Sequence, residues 1–320
     1  VKERLSYVEK AHEEIRKSLD IVNDMAVYGQ QMNEMRLANT LGLDLSYTNV
    51  GGFMYAMAVA KDVSPRSAVE FAIGRKPETL APIHVGSKAR DEALALVGSK
   101  SVKSGKYRVI LRNDVFSDIL GMLISMISAE NAQKNLSPLK GKIGEKIGSD
   151  ILTVKDLPYH PLSISCAPFD TQGVPTKEKT VIENGVFKTF LHNLKTAKKD
   201  GVEPTGNAMG TGIQPINLYI EPGSKSFDEL LKVLEDGLVI IHVEGMHSGA
   251  NPISGNFSLG AKAFRVEGGQ IKHGVEQITI SGNFLEMIGN IEEIGNDIRA
   301  FMGIITPSVL ISNLDIAGNV

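Results

Sequence analysis

The chain has 320 residues, a formal net charge of −3 and a single cysteine, Cys166. No Lys/Arg run builds the concentrated basic footprint that phosphate binding needs, which excludes nucleic acid as a direct partner. One cysteine rules out an internal disulfide framework and fits a reducing compartment, so the expected location is cytoplasmic.

The first residue, Val1, opens directly into a charged helical pattern with no signal-peptide core, and the sequence is expected to continue from a longer chain. Leu5, Val8, Ala11, Ile15, Leu19 and Val22 recur at helical spacing and predict one helix from about Lys2 to Met25. After Gly29 the period changes to two. "MNEMRLANTLGLDLSYTNVGGFMYAMAVAKD" predicts two or three antiparallel strands, with Gly51-Gly52 as a turn. "SPRSAVEFAIG" from Ser64 and "GSKARDEALALVG" from Gly86 have polar starts and glycine stops, and predict helices separated by Pro77 and Pro82.

A domain boundary is placed near Val102–Lys106, dividing residues 1–104 from 105–320, with a strand in "RVILRN" beyond it. A buried helix is predicted over Asp114–Glu130. Its apolar stretch, Val115–Ile127, is too short and too interrupted by Ser117, Asp118 and Ser125 to span a bilayer, so no membrane partner is expected. Leu136, Leu139, Ile143 and Ile147 form an apolar edge after it. "PLSISCAPF" alternates like a strand and makes Cys166 a small buried hydrophobe. Asn184-Gly185 and Gly268-Gly269 mark hairpins, and "SFDELLKVLEDG" predicts a helix from Ser226 to Glu235 with a serine cap, early acids and a glycine stop. The fold class is therefore α+β: an incomplete N-terminal α+β domain, then a larger β-rich domain with antiparallel sheets and a buried helix.

Glycine concentrates between Gly245 and Gly289, with nine glycines in 45 residues against 32 in the whole chain. Gly and Asn accept positive φ at low cost, so this block specifies turns or close approach of a ligand. Glu244, His247, Asn251 and Asn256 within it are the candidate cleft or peptide-binding residues. His242 and His247 are the closest histidine pair, with Glu244 between them; a strand over "LVIIHVEG" puts His242 and Glu244 on one face. A zinc helix needs two ligands on one face plus a carboxylate. "HEEIRKS" at His12 offers Arg16 and Lys17 where the second His is required. No phosphate-binding Gly-rich loop or nucleophile elbow is present, and Glu292-Glu293 reads as surface.

Beyond these local patterns, "VKSGKYRVIL", "PFDTQGVPTKEKTVIENGVFKTFLHNLKTAKKDGVEPTGNA", "ISGNFSLGAKAFRVEGGQIKHGVEQITISGNFLEMIGNIEEIGNDI" and "PSVLISNLDIAG" together resemble the TldD/PmbA family, the modulators of DNA gyrase, over Val102–Gly318. Residues 1–100 are similar to the latter part of that family's N-terminal domain. One branch of the family carries a His-Glu-x-x-x-His zinc helix and a later Cys, and acts as a peptidase; the other, PmbA or TldE, lacks the motif and partners the first. The helix in the motif's place, Asp114–Glu130, has no histidine, none occurs between His84 and His160, and Met302 stands near where the Cys falls. The resemblance thus implies the PmbA/TldE-like branch, with catalytic residues unassigned and no metal or cofactor of its own. Implied partners are a zinc-bearing TldD-like paralogue, or a second copy in a homodimer, and a small or unfolded peptide as substrate. Two alternatives stand beside it: a homodimeric metallopeptidase acting alone, and a non-enzymatic regulator that binds gyrase or toxin–antitoxin partners.

Overall fold

A computed structural model describes residues 2–319. Its N-terminal layer consists of α1 (Lys2–Ile15), β1 (Ile21–Ala38), β2 (Asp44–Ala60), β3 (Arg66–Gly74) and α2 (Pro82–Ala95), with the strands in the order β1-β2-β3. α1 stops at Ile15, and Leu19 is 100% exposed although it continues the helical spacing. The long antiparallel pairing of β1 with β2, which begins at Ile21↔Ala60, claims the residues that the longer helix would have used.

Gly51-Gly52 is not a turn but the middle of β2. The turn lies at residues 39–43, where Asn39 Oδ1 accepts from Leu41 N at 2.9 Å and Gly42 takes φ 93°. Gly51 is instead a close approach, since a Cβ there would stand 2.7 Å from Ile164. Residues 66–74 form strand β3 rather than a helix. Ser67, Val69, Phe71 and Ile73 alternate against Val59, Met57, Tyr55 and Phe53 of β2, and this cross-strand pairing overrides the helix-like ends.

The rest of the chain starts with β4 (Gly105–Leu111), α3 (Asn113–Met126), α4 (Ala129–Gln133) and β5 (Val154–Asp156). Then come β6 (Lys179–Glu183), β7 (Val186–Phe187), α5 (Leu194–Asp200), β8 (Ala208–Met209), β9 (Gly212–Ile213), β10 (Leu218–Ile220) and α6 (Phe227–Leu234). It closes with β11 (Gly237–Glu244), α7 (Met246–Gly249), β12 (Asn256–Glu267), β13 (Gln270–Asn283), α8 (Phe284–Gly289), β14 (Ile291–Ile294), β15 (Arg299–Phe301), β16 (Ile304–Thr306) and β17 (Val309–Ala317). One six-stranded sheet runs β15-β16-β10-β5-β6-β7 and the other β13-β12-β11-β4-β17-β14. The second closes on itself where Thr279–Ser281 of β13 pairs with Asp315–Ala317 of β17. The sheets are mixed rather than wholly antiparallel, because β4–β11 and β10–β16 pair in parallel.

Strand alternation divides this closed sheet between two cores. Val109, Leu111, Leu238 and Ile240 face a core shared with α3 and the first six-stranded sheet. Ile110, Val239, Ile241 and Leu310 face the other way, against Ala11, Ile15, Met54, Leu80 and α6. The N-terminal layer is thus built onto the back of the closed sheet, and α3 lies between that sheet and β15–β16. Charged pairs rivet the seam: Arg299 bonds Glu70 and the Phe71 carbonyl, Arg66 bonds Glu276, and Arg112 joins Glu92 to Asp114 at 2.6 Å.

Both predicted hairpins form with left-handed turn residues, Asn184 at φ 48° and Gly185 at 78°, Gly268 at 57° and Gly269 at 71°. α6 has its capping box, Ser226 N donating to Glu229 Oε2 at 2.7 Å, but it ends on Glu235 at φ 57° rather than on glycine. The stretch around Cys166 is loop, not strand, and Cys166 is only half-buried. After α4, Leu139 and Ile147 are buried while Leu136 and Ile143 are exposed, in irregular chain. No helix among the described residues is long and apolar enough to cross a membrane.

Candidate functional site

The four candidate residues of the Gly-Asn block all lie on the connection from β11 to β12. Glu244 ends β11 exposed, opposite Gly260, where a Cβ would stand 2.9 Å from the Glu244 side chain. Gly245 turns left-handed at φ 86° into α7, which exposes His247. Asn251 Oδ1 accepts from Ile253 N at 2.9 Å and Ser254 N at 3.3 Å, while Asn256 Oδ1 accepts from Asn283 Nδ2 at 2.9 Å. The two asparagines therefore hold the turn together, which the Gly-Asn composition does not separate from ligand contact. His242 shares the β11 face of Glu244 and is half-buried; burial and then Lys262 lower its pKa.

A cleft of about 360 Å³ lies elsewhere, between the β1–β2 hairpin and the body of the protein. Its hairpin wall carries Gln31 and Asn33 from β1 and Tyr47, Asn49 and Gly51 from β2, which the pairings Gln31↔Gly51 and Asn33↔Asn49 place on one face. The loop from Ile164 to Ala167, which touches the hairpin at Asn49 and Gly51, lines the cleft together with Met209 of β8 and residues 214–216. Ile124 of α3 and the turn Met302-Gly303 complete the rim.

Each wall is held in place by identifiable contacts. Asn49 Nδ2 donates to the Cys166 carbonyl at 2.6 Å, and Arg75 Nε donates to the Ser163 carbonyl at 2.8 Å while its guanidinium lies 5.0 Å from the Tyr159 ring centre. Tyr47 meets Phe169 edge-on at 5.1 Å, and burial raises its phenol pKa. Under the floor, the fully buried Asp156 accepts from Ile216 N at 2.7 Å, Asn217 N at 3.2 Å and Asn207 Nδ2 at 2.7 Å, with Lys179 Nζ 3.1 Å away. Met302, which lines the cleft, takes φ 37°, a conformation side chains rarely adopt, and is 64% exposed.

Sequence reading did not single out this hairpin wall. A signal was present in "GQQMNEM", where Gln31 and Asn33 put amides two apart on one strand face, but the facing loop is remote in sequence.

α3 supplies only Asp114 and Asp118 as ligating side chains, Asp114 is bound to Arg112, and among the described residues no three of His, Cys, Asp and Glu converge to hold a metal ion. Asp118 reaches solvent from a recess in which burial, and then the neighbouring Asp114, push its pKa up to about 6.

The PmbA/TldA metallopeptidase C-terminal domain matches residues 104–318 and the central domain of the same family matches 1–97, so the chain belongs to that family. It is 30% identical over 283 residues to the metalloprotease PmbA homolog of Buchnera aphidicola, covering 88% of this chain and 62% of that protein. It superposes with a TM-score of 0.97 and 53% identity on a Thermotoga maritima structure described as a candidate modulator of a DNA gyrase, covering 99% of this chain and 74% of that one. TldE from Thermococcus kodakarensis gives 0.89 and 27%, covering 99% and 74%. The chain spans less than two thirds of the length of curated relatives such as the Buchnera protein.

Proposed function

We propose that this chain is the non-zinc subunit of a PmbA/TldD-type metallopeptidase assembly acting on small or unfolded peptides in the cytoplasm. The observation that carries the reading is the make-up of the cleft. Ile124 and Met302, from the helix and the turn where the resemblance places the zinc ligands, border it without a ligating nitrogen, thiolate or carboxylate. Its size and its amide-rich hairpin wall suit an extended peptide segment. Family membership supports proteolysis as the process served. In this reading the metal comes from a zinc-bearing paralogue, and the β11–β12 connection with Glu244, His247, Asn251 and Asn256 borders the shared chamber.

The test is metal analysis of the purified chain together with peptide-cleavage assays, alone and mixed with a zinc-bearing paralogue, before and after chelation. The expected result is sub-stoichiometric zinc and no cleavage alone, with chelator-sensitive cleavage in the mixture. Stoichiometric zinc and chelator-sensitive cleavage by this chain alone would refute the proposal in favour of the self-sufficient homodimer.

A further inference from the structure

None of the residues lining the cleft is Asp, Glu, Lys, Arg or His. That is unusual for a polar concavity on a chain in which 22% of residues are charged. The charges that come near are already engaged. Arg75 is committed to the Ser163 carbonyl and the Tyr159 ring, and Asp156 beneath the floor is balanced by Lys179.

The neutral polar groups, in contrast, are available. The side-chain amides of Gln31, Asn33 and Gln214 make no hydrogen bond among the described residues, and all three residues are exposed at the cleft. Each offers two N–H donors and a carbonyl acceptor, which matches the alternating C=O and N–H groups of a peptide backbone. Between them stand Tyr47, Ile124, Ile164, Met209 and Met302, apolar or amphipathic surfaces for side chains.

Resting on the reading of this cleft as a peptide site, we infer that it selects segments whose side chains are uncharged, holding their backbone through Gln31, Asn33 and Gln214 and excluding Lys and Glu alike. The reason is desolvation. A charged side chain entering the cleft loses water and meets no counter-ion, whereas a Leu or Gln side chain loses little and is met by apolar or amide partners. The net charge of −3 would by itself weaken Glu and favour Lys, so rejection of both signs is the signature of desolvation and not of the overall field.

The experiment uses the full chain and end-blocked, labelled peptides identical except for a central Leu, Gln, Lys or Glu, with binding read by fluorescence anisotropy. The Leu and Gln peptides are expected to bind at least tenfold more tightly than both the Lys and Glu peptides. Asn33→Asp, at an exposed side chain outside both cores, is expected to improve the Lys peptide at least tenfold and weaken the Glu peptide further. Equal affinity for all peptides of the series, or weakening of Glu alone, overturns the selectivity while leaving the peptide site standing. Failure of every peptide to bind removes the peptide reading itself, and an Asn33→Asp variant that leaves the Lys peptide unchanged shows that charge at this cleft does not govern binding.

Discussion

Replacing Asp156 tests how the cleft floor is held. Its Oδ1 accepts from the backbone of Ile216 and Asn217 at 2.7 and 3.2 Å, and its Oδ2 receives Asn207 Nδ2 at 2.7 Å and faces Lys179 Nζ at 3.1 Å. Asp156→Ala leaves Lys179, whose side chain is only 11% exposed, without its carboxylate, and leaves two buried N–H groups without an acceptor. Breaking a buried pair from one side costs about 3–5 kcal/mol, and an unsatisfied buried donor adds about 1–3 kcal/mol. Entry of water recovers part of this, so a loss of roughly 3 kcal/mol or more is expected. Asp156→Asn combined with Lys179→Met keeps an acceptor for both N–H groups and removes the stranded charge, and it should recover part of that loss, because the new Nδ2 faces the Asn207 Nδ2 donor that the carboxylate accepted. Urea unfolding followed by circular dichroism measures the stability, and hydrogen exchange at residues 214–217 reports the floor directly. A loss below about 1 kcal/mol for Asp156→Ala with unchanged exchange would refute the argument, and a double variant no better than Asp156→Asn alone would refute its ionic part.

Two further outcomes follow from the same geometry. Gly51→Ala puts a methyl 2.7 Å from Ile164 and should destabilise the hairpin–loop contact by about 1–3 kcal/mol, with rescue by Ile164→Ala in thermal unfolding; absence of rescue would disprove the contact as the cause. Asp118, raised to about 6 from an ordinary 3.8, takes up its proton in the folded state before the unfolded one. Its ionised form therefore weakens folding above pH 6, and that penalty is lifted as the pH falls from about 6 towards 4. Asp118→Asn should then be more stable at pH 7.5, by about 1 kcal/mol at most because solvent screens the group, and equal to the parent near pH 4. Parallel pH–stability curves for the two proteins would contradict this.

Where one local rule acts alone, the sequence was sufficient. The Asn184-Gly185 and Gly268-Gly269 hairpins, the Ser226–Glu229 capping box and the buried character of α3 are set by neighbouring residues and by apolar periodicity, and all appear in the structure. Where two rules compete, it misled. Leu19 and Val22 keep helical spacing by coincidence, and residues 66–74 carry helix-like ends on what pairing with β2 makes a strand. Gly51 satisfied the composition of a turn while its purpose is the approach of Ile164, more than a hundred residues away in the chain.

The candidate site divides in the same way. The absence of histidine from residues 114–130 and the glycine-rich character of 245–289 are facts of the sequence alone; the first departs from the zinc-bearing pattern, and the second is part of the block that carries the family resemblance. The cleft is a fact of tertiary structure. It exists because a β-hairpin from the N-terminal layer, a loop at Cys166, the end of α3 and the turn at Met302 meet around one space, and no spacing along the chain encodes that meeting. Its neutrality has the same origin, since the surrounding sequence is rich in charge and only packing determines which side chains face inward.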